Sequence, residues 1–271
     1  MKTGRILAAS ALAASSLAFA STASAADDAQ VSILHGVPGA TVDVYANGDE
    51  ILKDFKPGTL TDPLTLPAGD YDLKVTAAGA GANGAAIMEA NDVAVPAGAN
   101  ATVVAHLTAD GKPQLTPFVN DTSKVKAGEG RLTVRHVAAA PAVDVRANGE
   151  VAFSDLTNPN EAKADLATGT ISADVVLAGT DTVAIGPADV NVKEGANTIV
   201  YAWGSAADKN LALAVQVVDG LHSNPGGVPA GDGGQAADQA AAERAALIGA
   251  VALGTGALVL VTRRRVAEQR G

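Results

Sequence analysis

The sequence predicts an all-β protein in which two tandem antiparallel β-sandwich modules, immunoglobulin-like in type, precede one C-terminal transmembrane helix. Three observations lead to this fold class. A segment that begins at His35 recurs at an offset of 101 residues. In both copies an Asn-Gly pair stands next to alternating apolar and polar residues. Outside the two terminal apolar runs, no stretch shows the 3.6-residue period of an amphipathic helix.

The internal repeat defines the two modules. His35 and Asp43 align with His136 and Asp144, and eight of the twenty positions that start at the histidine are identical. Later segments follow at a slightly smaller offset: 66–69 faces 166–169, and 95–100 faces 192–197. Loop deletions between preserved strands produce such a shrinking offset. We therefore expect two modules of about 95 residues each.

Within each module the pattern is that of short strands. Asn47-Gly48 between apolar runs predicts a two-residue hairpin turn, because type I′ turns need positive φ at both central positions. Residues 71–75 alternate apolar and charged side chains, which predicts a strand with one buried face. We expect the same arrangement in residues 101–107 and 198–203. Six to eight strands at spacings of about ten residues predict an antiparallel sandwich that is nearly free of helix.

Composition excludes several classes of function. The chain has no cysteine, so disulfides, thiolate catalysis and cysteine-ligated zinc are excluded. Residues 26–240 hold 27 Asp and Glu against 12 Lys and Arg. This negative charge repels phosphate backbones, so we expect no nucleic-acid partner. The same stretch has only seven aromatic residues, so its core must consist mainly of Val, Leu and Ile.

Both ends of the chain carry targeting signals. A basic start, the apolar run 6–20 and Ala23-Ser24-Ala25 are typical of a signal peptide that is cleaved near Ala25. A second apolar run, 245–262, is long enough to span a membrane, and the three arginines at 263–265 place the C-terminus in the cytoplasm. A sortase Leu-Pro-x-Thr-Gly motif is absent, so we expect the helix to be retained. The predicted location is the cell membrane, with one span and the modules outside the cell.

These features divide the chain into seven parts. They are a signal peptide (1–25), the first sandwich (26–122), a linker (123–130), the second sandwich (131–221), a Gly/Pro-rich flexible spacer (222–244), the transmembrane helix (245–262) and a basic cytoplasmic tail (263–271).

The repeated element resembles a bacterial family known as domain of unknown function 4397. The resemblance rests on a histidine, a Pro-containing turn, Val-Asp-Val, Asn-Gly and, in the first copy, Leu66-Pro-Ala-Gly-Asp-Tyr71. The second copy departs from the family pattern at Arg146, where a tyrosine is expected, and at Thr168 and Ile171. The resemblance implies β-sandwiches in exported or surface proteins, often in tandem, and it implies no activity.

The candidate ligand-binding residues are the repeated pairs His35/Asp43 and His136/Asp144. A His/Asp pair can ligate a metal or transfer protons, or it can brace the turn between two strands by hydrogen bonding. We favour the bracing role because both copies keep the pair. If these histidines are buried against the turn backbone, the enzymatic interpretation fails.

Other candidate chemistry is sparse. A calcium site at Asp27, Asp28, Asp70 and Asp72 lacks the spaced loop that calcium-binding motifs show. Trp203, the only tryptophan, alternates along a predicted strand and is expected in the core rather than on a sugar-binding platform. Motifs for activated nucleophiles or phosphate loops are absent, and no cofactor is expected.

These observations predict a non-catalytic, membrane-anchored surface protein whose modules serve as spacer, adhesion or ligand-presenting domains. Its partners would be the membrane and an extracellular or cell-envelope protein. The alternative is an enzyme or metal-dependent binding protein centred on the two His/Asp pairs. A third possibility is association with another membrane protein through Gly249, Gly254 and Gly256 of the helix.

Overall fold

The structure is a computed structural model that describes residues 27–223. These residues are all-β and contain no helix, as predicted, so no helix in this range could cross a membrane. The predicted signal peptide, transmembrane helix and cytoplasmic tail lie outside the described residues, as does all but the first two residues of the predicted spacer.

Residues 27–223 form sixteen strands in two consecutive sets of eight. The first unit contains β1 (Ala29–His35), β2 (Val42–Ala46), β3 (Asp49–Phe55), β4 (Leu64–Leu66), β5 (Gly69–Ala77), β6 (Ala86–Val95), β7 (Asn100–Leu107) and β8 (Pro113–Val119). The second unit contains β9 (Glu129–Ala139), β10 (Val143–Ala147), β11 (Glu150–Leu156), β12 (Glu161–Ala167), β13 (Gly169–Leu177), β14 (Val183–Val192), β15 (Asn197–Ser205) and β16 (Ala212–Val218).

Each unit has two four-stranded sheets with the same strand order. In the first unit the orders are β4-β1-β7-β8 and β3-β2-β5-β6. In the second unit they are β12-β9-β15-β16 and β11-β10-β13-β14, which are the same orders shifted by eight strands. The topology therefore repeats with the sequence.

The expectation of purely antiparallel sheets needs a correction. Most neighbouring strands are antiparallel, but β1 pairs with β7 in parallel and β9 pairs with β15 in parallel. Between β1 and β7 the chain forms two hairpins, β2–β3 and β5–β6, in the other sheet and adds β4 antiparallel to β1. Only then does β7 pair with β1 in the same direction, and the second unit repeats this order. Local sequence patterns do not predict which distant strands pair or in which direction they run.

The predicted hairpin turn forms in both copies. Asn47 and Gly48 have φ values of 51° and 88°, and Asn148 and Gly149 have φ values of 52° and 88°. Positive φ at two consecutive positions is the geometry of a type I′ turn, and it explains why both copies place Asn-Gly there. The Asn47 side chain also accepts a hydrogen bond from the backbone N–H of Asp72 at 2.8 Å, which attaches the turn to β5.

A hydrophobic core lies between the two sheets of each unit. The core of the first unit contains Val31, Val44, Val75 and Val103, so it draws on both sheets. The core of the second unit is built in the same way and contains Leu132, Val145, Val175 and Val200. Aliphatic residues dominate both cores, in agreement with the low aromatic content.

A third apolar cluster joins the two units. It combines Leu34 of β1 and Val104 of β7 with Val137 of β9 and Ile199 and Tyr201 of β15. The sheet β4-β1-β7-β8 thus packs against the sheet β12-β9-β15-β16, and the four sheets form four layers. We call this contact the inter-unit interface.

The interface corrects a second expectation. Residues 101–107 and 198–203 were predicted to have one apolar and one charged face. Nearly all residues of β7 and β15 are buried on both faces. One face contacts the core of its own unit, and the other contacts the opposite unit. Such continuous apolar runs are typical of strands that are covered on both sides.

Candidate functional site

His35 ends β1 and is fully buried. Its Nε2 lies 2.8 Å from the carbonyl oxygen of Ala40, and its Nδ1 lies 3.3 Å from the backbone nitrogen of Val37. These contacts fit a neutral ring that donates from Nε2 and accepts at Nδ1. Burial lowers the pKa of His35, because the charged ring would lose its hydration. The ring therefore holds both ends of the turn between β1 and β2 together.

His136 makes the same contacts in the second unit. It is 1% exposed, and its Nε2 lies 2.9 Å from the carbonyl oxygen of Pro141. Its Nδ1 accepts from the backbone N–H of Ala138 at 3.3 Å. Burial lowers the pKa of His136 as well. The two histidines hold equivalent turns by equivalent hydrogen bonds.

Asp43 lies on β2 and binds backbone groups rather than a histidine. One carboxylate oxygen accepts from the N–H of Asp54 at 2.9 Å, and the other accepts from the N–H of Gly79 at 2.7 Å. These two donors stabilise the charged form and lower the pKa of Asp43. Asp54 has φ of 51°, so the hydrogen bond holds a left-handed residue at an irregularity of the β2–β3 pairing. Asp43 thus connects β3 and the turn after β5 to the central strand β2.

Asp144 repeats this arrangement. Its carboxylate accepts from the N–H groups of Asp155 at 2.8 Å and Gly179 at 2.9 Å, and these bonds lower its pKa. Asp155 has φ of 53°, as Asp54 has in the first unit. The repeated aspartates therefore share one structural role.

The predicted His/Asp pairs do not form a site together. Each histidine binds the turn that follows its own strand, and each aspartate binds two other backbone segments. All four side chains are buried, so none faces an open cleft. Within residues 27–223, no group of three or more His, Asp or Glu side chains is arranged to hold a metal ion. Among the calcium candidates, Asp72 accepts from the backbone N–H of Asp92 at 3.0 Å.

The departure of the second copy at Arg146 has a structural explanation. Tyr45 faces Lys74 across the β2–β5 pair, and Arg146 faces Asp174 at the equivalent place. The Arg146 guanidinium donates to both carboxylate oxygens of Asp174, at 2.8 and 2.6 Å. The second unit thus differs from the first on both neighbouring strands, and the charge of Arg146 is paired with that of Asp174.

Residues 29–146 match the family described as Domain of unknown function (DUF4397). This match agrees with the resemblance that the repeated motif predicted. The match spans the first unit and continues through β9 to Arg146 of β10, so it includes all four residues of the His/Asp pairs. No curated protein matches the chain.

The inter-unit interface joins the DUF4397 match to strands beyond it, and its polar centre was not predicted from the sequence. Arg135 is 1% exposed and donates to the Tyr201 hydroxyl at 2.8 Å and to Glu161 at 2.8 Å. Tyr201 in turn donates to the side-chain oxygen of Gln216 at 2.6 Å. The same oxygen accepts from the hydroxyl of Thr102 in the other unit at 2.9 Å. Burial raises the pKa of Tyr201, which keeps its hydroxyl protonated as a donor.

The units also contact each other through aromatic rings. The Arg135 guanidinium carbon lies 4.4 Å from the centroid of the Phe118 ring, which belongs to the DUF4397 match. A desolvated cation over an aromatic ring contributes about 2 kcal/mol of attraction. Trp203 was expected in the core, but it is only partly buried and packs against the interface cluster. A Cβ added at Gly58 would lie 3.0 Å from its ring. A side chain at residue 58 would therefore displace the indole.

The linker between the units is attached to the second unit. Val125 is 2% exposed, and its N–H donates to the carbonyl of Leu221 at 2.9 Å. It also forms an isolated parallel bridge with His222, so the first residue of the predicted spacer is fixed here. Asp121 accepts from Lys163 at 2.5 Å and lies 2.8 Å from Arg131. The hydrogen bond from Lys163 is the main cause of a strongly lowered pKa of Asp121.

The sequence contains an indication of this interface in β7 and β15, but not in β9. Arg131, Thr133 and Arg135 alternate with Leu132 and Val134, which reads as an ordinary solvent-facing strand. The first unit has Gln30, Ser32 and Leu34 at the equivalent positions, and the last of these is apolar. The apolar runs on both faces of β7 and β15 were the better indication that these sheets are covered twice.

Proposed function

We propose that this chain is a non-catalytic, membrane-anchored cell-surface protein whose two β-sandwich modules act as one rigid spacer that presents its outer loops to an extracellular or cell-envelope partner. The modules are residues 26–122 and 131–221, joined by the linker 123–130. The signal peptide, the spacer 222–244, the helix 245–262 and the tail 263–271 supply export and anchoring.

The inter-unit interface carries this proposal. Two domains joined by a short linker are free to move unless their contact is large and apolar. Here the contact combines an apolar cluster with a buried hydrogen-bond chain from Thr102 through Gln216 and Tyr201 to Arg135. A polar chain of this kind is satisfied in only one docked arrangement, so it favours a single orientation of the modules. A fixed orientation suits a protein that holds a binding surface at a set distance from the membrane.

The hydrogen-bond partners of the repeated His and Asp residues support a non-catalytic role. The side chains of the two repeated pairs form hydrogen bonds with backbone atoms of their own units. They are His35, Asp43, His136 and Asp144. Their lowered pKa values follow from burial for the histidines and from backbone donors for the aspartates, so no separate catalytic explanation is required.

Distance measurement between spin labels tests the rigid-spacer proposal. Because the chain has no cysteine, cysteines introduced at Lys53 and Ser154 are the only labelled positions. Both positions are exposed, and they are equivalent in the two units. We expect one narrow distance distribution. A pair at Lys53 and Glu89, within one sheet, sets the width due to the label alone, and a much broader inter-unit distribution would contradict the proposal.

Export and anchoring need a separate experiment. Intact cells that express the full chain are treated with a protease, and the mature N-terminus is sequenced. We expect cleavage of the modules from outside and a mature chain that begins at Ala26. Protection of the modules in intact cells, with an uncleaved Met1, would refute the surface location.

A further inference from the structure

The four sheets end in eight edge strands, and an edge strand offers unpaired backbone N–H and C=O groups to another strand. Proteins protect such edges with charged side chains, prolines or short strands. Seven of the eight edges within residues 27–223 have this protection. Strands β3, β6, β11 and β12 contain charged residues, β8 and β14 contain Pro117 and Pro187, and β4 has three residues between Pro63 and Pro67.

Strand β16 is the exception. Its seven residues, Ala-Leu-Ala-Val-Gln-Val-Val, include no charge and no proline. Within residues 27–223, no backbone hydrogen bond reaches this strand except those of its pairing with β15. Among the residues that the structure describes, one edge of β16 is therefore open and unprotected.

The side chains of β16 are divided between two faces. Gln216 and Val218 are buried in the inter-unit interface. Val215 and Val217 point the other way and are 52% and 46% exposed. A strand added at this edge would cover these two valines as well as the backbone.

We propose that β16 pairs in antiparallel fashion with β16 of a second copy of this chain, around a two-fold axis near Val215. The pairing joins two four-stranded sheets into one eight-stranded sheet across a dimer. It leaves the interface between the units of each chain intact, and it does not depend on the membrane anchor proposed above.

Self-pairing fits the chemistry of β16 and its ends. An uncharged strand meets an identical uncharged strand without repulsion, and a two-fold arrangement covers both open edges at once. Lys209 precedes the strand and Asp219 follows it. Antiparallel pairing brings Lys209 of one copy toward Asp219 of the other, whereas parallel pairing would place like charges side by side. The existing contact of Asp219 with Lys193 at 2.8 Å is largely exposed and is weak enough to be shared.

The net charge of the described residues makes the dimer sensitive to salt. They hold 25 Asp and Glu and 12 Lys and Arg, so two copies repel each other at long range. Screening shortens this repulsion to about 8 Å at physiological ionic strength. Association should therefore strengthen between low and physiological salt.

Cysteine cross-linking of the purified full chain in detergent tests the proposal. The chain has no native cysteine, so each cross-link reports the introduced residue. We expect Val215→Cys to give cross-linked homodimer several-fold more efficiently than Val119→Cys. Val119 is the matched control, because it is 64% exposed on the edge strand β8, which Pro117 protects.

A second substitution separates β16 from every other contact between copies. A Val217→Lys change in the Val215→Cys chain puts a charge on the open edge and should abolish the cross-link. Two outcomes would overturn the proposal: equal cross-linking at Val215 and Val119, or dimer that persists with Val217→Lys.

Discussion

The guanidinium carbon of Arg135 in the second unit lies 4.4 Å from the centroid of the Phe118 ring in the first. The same guanidinium donates to Tyr201 and Glu161, so it connects the two units while its charge remains paired. This contact explains how a buried arginine is tolerated between two sheets. It also places Arg135 at the contact between the two units.

Replacing Arg135 should destabilise the whole described region. Arg135→Ala leaves Tyr201 and Glu161 without their donor and removes the cation from the Phe118 ring, at a cost of roughly 3 kcal/mol. Arg135→Lys should recover only part of this, because an ammonium group cannot bond both partners in the same fork geometry. The free energy of unfolding in urea measures both changes. Arg146→Ala, which breaks an ion pair outside the interface, is the control and should cost clearly less.

Neutralising the bracing aspartates should weaken both units to a similar degree. Asp43→Asn and Asp144→Asn each replace one carboxylate oxygen with an NH₂ group that faces a backbone N–H. Loss of a hydrogen bond to a charged group costs about 1.5–3 kcal/mol. Thermal unfolding should show a lower Tm in both variants. A large effect in only one unit would contradict the shared role of the two residues.

Stability should fall as the pH decreases below about 6.5, the ordinary pKa of histidine. A third histidine, His106 of β7, is also fully buried. Burial lowers the pKa of His35, His106 and His136 in the folded state, so the unfolded chain binds protons first. Each such histidine contributes a loss of up to about 1.4 kcal/mol per pH unit between 6.5 and its lowered pKa. The contribution is fully present above pH 6.5.

Urea unfolding at pH 7.5, 6.5 and 5.5 measures this dependence. The range lies above the pH at which the bracing aspartates, whose pKa values are lowered, take up protons. His136→Gln should reduce the slope, because glutamine keeps a donor for the Pro141 carbonyl but does not titrate. An unchanged slope in this variant would show that His136 is not the source of the acid sensitivity.

Metal ions should leave the thermal stability unchanged. We expect no increase in Tm with Ca²⁺ or Zn²⁺ for the wild type, and a lower Tm for His35→Ala/His136→Ala with or without metal. The reason is that the ring nitrogens are already bound to turn backbone. A metal-dependent rise that occurs in the wild type and disappears in the variant would instead establish these histidines as ligands.

The sequence predicted local structure well because that structure depends on local chemistry. The Asn-Gly turns follow from the positive φ that these two residues tolerate, and the strands follow from alternation. A bracing role was also expected for His35 and His136, but with the repeated aspartates as partners. Each histidine instead binds the backbone of the turn. The roles of Asp43 and Asp144 could not be predicted, because their partners Gly79 and Gly179 lie about 35 residues away in the sequence.

The inter-unit interface was missed for a different reason. Arg135 alternates with apolar residues as a solvent-facing side chain would, and only the opposite unit converts it into a buried residue. The parallel pairing of β1 with β7 has a similar origin, since it depends on how two hairpins between them are placed. Both features are decided by contacts between distant segments rather than by residue type.

The attachment of the linker to Leu221 and His222 has a mechanical consequence. Tension on the chain at residue 223 does not reach β16 first, because Val125 accepts from the Ser223 N–H and donates to the Leu221 carbonyl. In this parallel bridge the pull acts along the two paired segments, so we expect its two hydrogen bonds to resist together instead of opening one after another. We expect force applied through the C-terminus to be transferred directly to the junction of the two units. In a single-molecule pulling experiment, the first rupture should therefore be a large one that involves the whole second unit, rather than a gradual peeling of its last strand.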